Sequence, residues 1–338
     1  MGKVVAGVGV VLALVVAVVF LRDPPAPPTT SAEPPREVAR VVVADVPWRS
    51  VVVPEGVEQV RYAVADRERA VVPVRGVDGV RRLVVVGGSG VEVVGRGGGV
   101  LRGVLAGSTV VVQDQDPAGM ARLSTVDLTT GLERVLVEKV RLGALAAIDG
   151  LVVLQEGQEC LRVFAGAGEE TVHCPPDGWT VSLLTAGVRD VRWRETSPAE
   201  ACANWFRLEP GGTPERVEAG EGACRAVGAT WLDGWEITTG VTPYEAGAAY
   251  PGPLVARRDG RQVALDTTVL DAEVCGRHLY WLSRPRYPDQ LGEVVRWRPG
   301  ADRVEVLDTG GAAWPPRCVN GTLAVSTAGS RLLVLAEP

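Results

Sequence analysis

Only two histidines, His173 and His278, occur in the 338 residues. Imidazole is the commonest base and metal ligand near neutral pH, so this scarcity limits the available chemistry. Neither histidine has another His, an Asp or a Glu at metal-ligand spacing, and no metal is expected. A serine or cysteine nucleophile needs a base within hydrogen-bond reach, and no Gly-x-Ser-x-Gly elbow occurs. The stretch GVEVVGRGGGV at 90–100 lacks the Lys-Ser/Thr of a phosphate-binding loop, so it reads as a turn and no cofactor is expected. Carboxylates remain. Glycosidases use two of them about 5–9.5 Å apart, and Glu195, Asp266, Asp271, Glu273 and Asp289 are the candidates. Sequence spacing alone does not select a pair.

Six cysteines, Cys160, Cys174, Cys202, Cys224, Cys275 and Cys318, follow an apolar N-terminal run. An even number in an exported chain reads as three disulfides. Without a Cys-x-x-Cys pair, neither a zinc ribbon nor a thioredoxin-type motif is indicated. The apolar run is VVAGVGVVLALVVAVVFL at 4–21, without a charged or polar side chain. As a helix it would extend about 27 Å, close to the hydrocarbon thickness of a bilayer. Lys3 favours a cytoplasmic N-terminus, and Arg22 on the far side weakens that bias. The rival is a cleaved signal peptide, whose apolar region is usually shorter and is followed by small residues; here Arg22-Asp23-Pro24-Pro25 follows. The domain expectation is therefore a transmembrane signal-anchor at 1–21, a proline-rich linker at 22–37 and an extracytoplasmic domain at 38–338. The six prolines of RDPPAPPTTSAEPPR favour an extended tether.

What could position chemistry in that domain is set by a repeat. LSTVDLTTGLERVLV at 123–137 reads as a β-hairpin, two alternating runs around a Gly-bearing turn. STVVVQD at 108–114 matches GLVVLQE at 150–156, and FRLEPGG at 206–212 matches VRWRPGA at 295–301. A period of about 40–50 residues with four short strands is a propeller blade. Gly and Pro interrupt the runs too often for helical repeats.

The expected fold is all-β: a seven-bladed β-propeller, with six or eight blades as alternatives, closed by an N-terminal strand and preceded by one transmembrane helix. Third strands are placed near Arg81, Arg122, Leu161, Ala203, Leu254, Glu293 and Arg331. The last unit has only three strands, and 38–44 is expected to supply its missing rim strand. The ring then pairs Cys160 with Cys174 across one outer hairpin. It pairs Cys275 with Cys318 between consecutive innermost strands, and leaves Cys202 with Cys224, at the starts of a third strand and of the next innermost strand.

Val126-Asp127-Leu128-Thr129-Thr130-Gly131 resembles the Asp-x-x-Thr-Gly turn of bacterial extracytoplasmic propellers, loosely TolB-like and including quinoprotein-type repeats. The quinoprotein repeats follow the glycine with a tryptophan; here Val135 takes that place. The resemblance extends over 38–338, and it implies a fold without fixing a function.

The net charge is −6 and lysine occurs only at Lys3 and Lys139, with no basic cluster, which argues against nucleic acid as a partner. The informative irregularities are long connections. They are ETSPAEA at 195–201, VTPYEAGAAYPG at 241–252, RPRYPDQ at 284–290 and DTGGAAWPP at 308–316. Propeller topology opens all four on one face. They carry Tyr244, Glu245, Tyr250, Arg284, Arg286, Tyr287, Asp289 and Trp314, residue types enriched at binding hot spots. The leading reading is a binding or scaffold module for an envelope protein, peptide or glycan, held to the membrane by its N-terminal helix. The alternative is a hydrolase or lyase acting on envelope carbohydrate or a lactone at the central funnel. If 4–21 is an uncleaved anchor, the protein stays in the membrane pellet after alkaline carbonate extraction and its intact mass includes residues 1–21; recovery of a shortened chain in the supernatant refutes the anchor.

Overall fold

The computed structural model describes residues 37–337 except 53–62, 77, 88–91, 95–100, 149–150, 157–159, 166–167, 188, 244–248, 287–289 and 330. The apolar run at 4–21 lies outside the described residues. Among those described, no helix is long and apolar enough to cross a membrane.

The chain enters through β1 (Glu37–Val38), β2 (Arg40–Ala44) and β3 (Arg49–Val51). Blade 1 follows as β4 (Val64–Ala65), β5 (Ala70–Arg75), β6 (Arg81–Val86) and β7 (Glu92–Val94). Blade 2 is β8 (Leu101–Ala106), β9 (Thr109–Gln115), β10 (Met120–Asp127) and the first part of β11 (Glu133–Ile148). The rest of β11 opens blade 3, completed by β12 (Leu151–Glu156), β13 (Leu161–Ala165) and β14 (Gly168–His173). Blade 4 is β15 (Thr180–Ala186), β16 (Val191–Thr196), β17 (Asn204–Leu208) and β18 (Glu215–Val217), and the short helix α1 (Glu221–Arg225) leads on. Blade 5 is β19 (Gly228–Leu232), β20 (Trp235–Pro243), β21 (Ala249–Arg258) and β22 (Arg261–Asp266). Blade 6 is β23 (Val269–Cys275), β24 (His278–Arg286), β25 (Leu291–Trp297) and β26 (Arg303–Leu307). Blade 7 has β27 (Arg317–Val319), β28 (Thr322–Ser326) and β29 (Leu332–Ala336). Every blade is an antiparallel meander, and β11 serves as the rim of one blade and the inner strand of the next, changing partner between Arg141 and Leu142. The seven-bladed propeller and the seven third strands stand as the repeat predicts.

The cores lie between blades. Trp235 and Ile237 of blade 5 pack with Trp281, Val295 and Trp297 of blade 6. Trp193 of blade 4 packs with Val153 and Val163 of blade 3. Sandwiching explains why a second strand such as β28, TLAVS, is buried at all five positions and does not alternate. The Asp127 turn is held by its own side chain, which accepts from the amides of Thr129 and Thr130, while Gly131 takes φ 73°.

One expectation is corrected. The closing strand is β3, antiparallel to β29 with Leu332 opposite Val51 and Val334 opposite Arg49. The segment 38–44 instead straps two rims: β1 runs parallel to β22 of blade 5 and β2 parallel to β26 of blade 6. Burial accounts for the difference. Val51 joins Ala324, Leu332 and Val334 in the core shared with blade 1. Val38, Val41 and Val43 are 80%, 61% and 78% exposed, and of the strap only Ala39 is buried, against the core of blades 5 and 6. Alternation alone could not rank these two neighbouring apolar runs.

All three disulfides form as paired by the ring: Cys160–Cys174, Cys202–Cys224 and Cys275–Cys318, with Cα separations of 4.2, 4.5 and 5.5 Å. Cys224 sits in α1 and not at the start of an innermost strand. If β3 closes the ring, Val51→Asp buries an unpaired carboxylate and lowers stability by about 3 kcal/mol or more. Val41→Asp on the strap changes it by no more than about 0.5 kcal/mol. Denaturant midpoints of the two variants check this; equal effects would contradict the assignment.

Candidate functional site

The innermost strands leave an axial cavity of about 1670 Å³. Its two mouths differ. On the face where first strands turn into second and third into fourth, the turns are short. Asp233-Gly234, Asp259-Gly260 and Asn320-Gly321 each place two successive residues at positive φ, the backbone of a two-residue hairpin turn. The opposite face carries the longer connections, and the chain pattern of Asp, Asn and Gly against Pro, Tyr and Arg is what separates the two.

Of the residues expected on the long-connection face, Arg284 and Arg286 lie at the exposed end of β24. Arg284 has φ 49°, its N–H donates to Thr268 O at 3.1 Å, and Arg286 borders the axial cavity. Tyr250 lies in β21 opposite Thr242. Tyr244, Glu245, Tyr287 and Asp289 lie outside the described residues. Trp314 is only 9% exposed, and its N–H donates to Ser326 O at 2.8 Å. Ala313 bridges both Gly292 and Thr327, so the connection 308–316 is a strut joining blades 6 and 7.

On the axial wall at the same pair of blades, two of the five candidate acids come together. Asp271 and Glu273 both border the cavity from β23, where the register shifts between Leu270 and Glu273 and Asp271 takes φ 48°. This β-bulge re-aims the side chains. Arg317 of blade 7 reaches both, Nη2 at 2.9 Å from Asp271 and Nη1 at 3.9 Å from Glu273. Glu273 Oε2 is out of solvent contact and has no hydrogen-bond partner. Desolvation pushes this carboxyl up to about 7, against the Arg317 charge and the Cys318 amide that lower it, with the nearby Asp271 charge adding to the rise. The Cys275–Cys318 disulfide ties the same two strands beside this cluster.

Of the other candidate acids, Asp266 and Glu195 are structural. Asp266 accepts from Trp281 Nε1 at 2.8 Å. Glu195, expected in a loop, ends β16 at 1% exposure. Sequence reasoning missed a pattern here: each histidine meets a buried glutamate of the next blade. His173 of blade 3 bonds Glu195 of blade 4, which also accepts from Trp193 Nε1 at 3.1 Å. His278 of blade 6 bonds Glu337, just beyond β29 of blade 7, at 2.8 Å, and Tyr280 donates to the same carboxylate. Burial tends to raise the Glu337 pKa, but the hydrogen bonds from His278 and Tyr280, with the His278 and Arg296 charges, outweigh it and hold it below the ordinary value. The partners are 22 and 59 residues apart in sequence, beyond any local spacing rule. Among the described residues no group of three or more His, Cys, Asp or Glu is placed to hold a metal.

No family model matches the chain, and no curated protein matches it. Solved structures do. Ycf48 from Cyanidioschyzon merolae is 11% identical with a TM-score of 0.50, covering 85% of this chain and 98% of that one. A chain of the S. cerevisiae Dbp5 complex with Nup159, Gle1, IP6 and ADP is 10% identical with a TM-score of 0.52, covering 88% and 97%. A prolyl endopeptidase is 12% identical with a TM-score of 0.52, covering 83% of this chain. The chain spans about half the length of that endopeptidase, 50%. The likeness to solved β-propellers is one of fold alone.

The two buried acids have opposite pH signatures. The folded pKa of Glu273 lies near 7, above the ordinary 4.5. Its contribution is therefore most favourable below pH 4.5 and is lost as pH rises through 7. Glu273→Gln should stabilise the fold by on the order of 1–3 kcal/mol at pH 8 and by almost nothing at pH 4. Glu337, held below 4.5, stabilises above that pH and fails as pH falls through its folded value, so Glu337→Gln should destabilise at pH 7 and less at pH 3. Melting temperatures across that range check both signs.

Proposed function

We propose that this protein is a membrane-tethered, extracytoplasmic recognition module. It takes an envelope protein, peptide or glycan on its long-connection face, around the mouth of the axial cavity. The observation that carries this reading is the inequality of the two faces. One is trimmed to two-residue turns at Asp233-Gly234, Asp259-Gly260 and Asn320-Gly321. The other presents exposed Arg284 and, bordering the cavity, exposed Arg286. Rigid scaffolds concentrate recognition in their longer loops. Tyr244, Glu245, Tyr250, Tyr287 and Asp289 belong to the same connections and complete the proposed contact set, with Trp314 supporting it from beneath. Three disulfides fit an oxidising compartment, and the run at 4–21 is the proposed tether.

A second reading has one specific support. Glu273, with its carboxyl near 7, shares the axial wall with Asp271, and a general acid works best with a pKa near the operating pH. In this reading Glu273 would give a proton to a leaving group and Asp271 would act as its ionised companion in a hydrolase or lyase.

Photo-crosslinking of the full chain in its native membrane separates these outcomes. A crosslinker at position 284 or 286 should capture one defined species, and one at Asp259 on the trimmed face should not. Equal capture from both faces would sink the recognition reading. If turnover of an envelope carbohydrate is found and Glu273→Gln lowers kcat by about 100-fold or more without weakening binding, the enzyme reading replaces it.

A further inference from the structure

We propose that the rim strap is a docking edge for a second copy of this chain, with β2 of one copy paired antiparallel to β2 of the other about a two-fold axis at Val42. β2 is the outermost strand of blade 6, and among the described residues no strand pairs with its free edge. Outermost strands elsewhere carry charges that discourage such pairing, Glu92, Glu133, Glu170, Glu215 and Arg49 among them. β2 has Arg40 at its start and then only three valines and an alanine. Its register with β26 is unbroken from Arg40 to Ala44, so no bulge twists the edge away. Val41 and Val43, on one face of the strand, are 61% and 78% exposed. Ala39, just before it, is buried against blades 5 and 6 and holds the strap in place.

The backbone fixes the register of the pair. Arg40 N–H donates to Asp302 O at 2.9 Å, and Ala44 O accepts from the Asp308 N–H at 3.3 Å. Arg40, Val42 and Ala44 therefore direct their backbone groups to the β26 side, and by alternation Val41 and Val43 direct theirs outward. An antiparallel partner centred on Val42 sets Val41 opposite Val43 in both copies. Each of these two pairs exchanges both of its N–H···O bonds, so every outward group of Val41 and Val43 is satisfied. The valine side chains of the two copies then meet on one face of the joined sheet. The edge is its own complement, because Val41-Val42-Val43 reads the same in both directions, as a two-fold contact requires. The chain before the strap favours the same occupant. Glu37 follows directly on the proline-rich linker 22–36 and the apolar run 4–21, the proposed tether. On that reading two copies meet in one membrane at raised effective concentration. A contact of one strand per copy needs this, since it is small beside the interface of a stable free dimer. Strap amides still exchange when the pair dissociates, well before the ring unfolds.

The test is oxidative crosslinking of cysteine variants of the full chain in native membranes. All six native cysteines are disulfide-bonded, so an added thiol is the only free one. In the centred register Val42 faces its own copy across a non-hydrogen-bonded pair, with Cα atoms about 4.5 Å apart and within disulfide reach. Val43 and its copy are offset along the strands and lie more than about 7 Å apart, too far to bridge. Val42→Cys should therefore give a covalent dimer that keeps the three native disulfides. Val43→Cys should give at least about tenfold less, as should Leu132→Cys at a 72% exposed position by blade 2. Adding Val41→Asp to Val42→Cys puts a carboxylate from each copy among the meeting valines and should cut the dimer about tenfold or more. No dimer from Val42→Cys, equal dimer from either control position, indifference to Val41→Asp, or a product containing a different protein overturns the proposal. Capture from position 284 reads the recognition face separately, and carbonate extraction reads the tether, so failure of the dimer is distinguishable from failure of either.

Discussion

A four-stranded sheet with apolar side chains on both faces cannot fold alone, because each face needs another sheet against it. Stacking sheets in a row leaves two naked ends; only a ring removes both. The whole molecule follows from that constraint. The buried tryptophans sit between blades, and the second strand β28 is buried at every position. Blade 7, which has three strands of its own, borrows its rim from β3. A ring joined by noncovalent strand pairing is only as firm as its seam. The Cys275–Cys318 disulfide and the His278–Glu337 contact both bind blade 7 to blade 6. The His173–Glu195 pair plays the same part between blades 3 and 4.

The ring also explains why chemistry gathers where it does. The inner strands converge on an axis that they cannot fill, so polar side chains are tolerated along it, whereas between blades Glu195 and Glu337 are held by direct hydrogen bonds. At the wall of blades 6 and 7 this tolerance is stretched. Arg317 serves two carboxylates, and the deeper one, Glu273, keeps an oxygen without a donor. Such a group is expensive to keep charged, which is the physical basis of its raised pKa.

Much of the fold was legible because it is written locally. Gly and Asp at hairpin tips, and the apolar runs between them, placed β10 and the Asp127 turn within a residue or two. The cysteine pairs followed once the blades had an order. What was not legible depends on partners far away in sequence. Nothing near His278 announces Glu337, and Glu195 looked like a loop residue because its neighbours Thr196, Ser197 and Pro198 read as a turn. The two apolar runs of the N-terminal segment are equivalent as patterns; only the core around Ala324, Leu332 and Val334 decides that Val51 seals the ring. Of the candidate site, Arg286 was legible from loop length. Asp271 and Glu273 were visible as acids, but a bulge in β23 and an arginine from the next blade were needed to single them out. The burial of Trp314, expected on the connection 308–316 as a binding residue, is not written locally: its backbone pairs with Ser326 of blade 7.

Amide hydrogen exchange across the seam measures the closure most directly. If β3 is the fourth strand of blade 7, a peptide covering 49–51 exchanges as slowly as one covering 332–336, with both released only on global unfolding. The strap at 37–44, solvent-exposed along one side, exchanges faster than either. Rapid exchange at 49–51 beside a protected 332–336 would contradict the account and leave the ring without its closing strand.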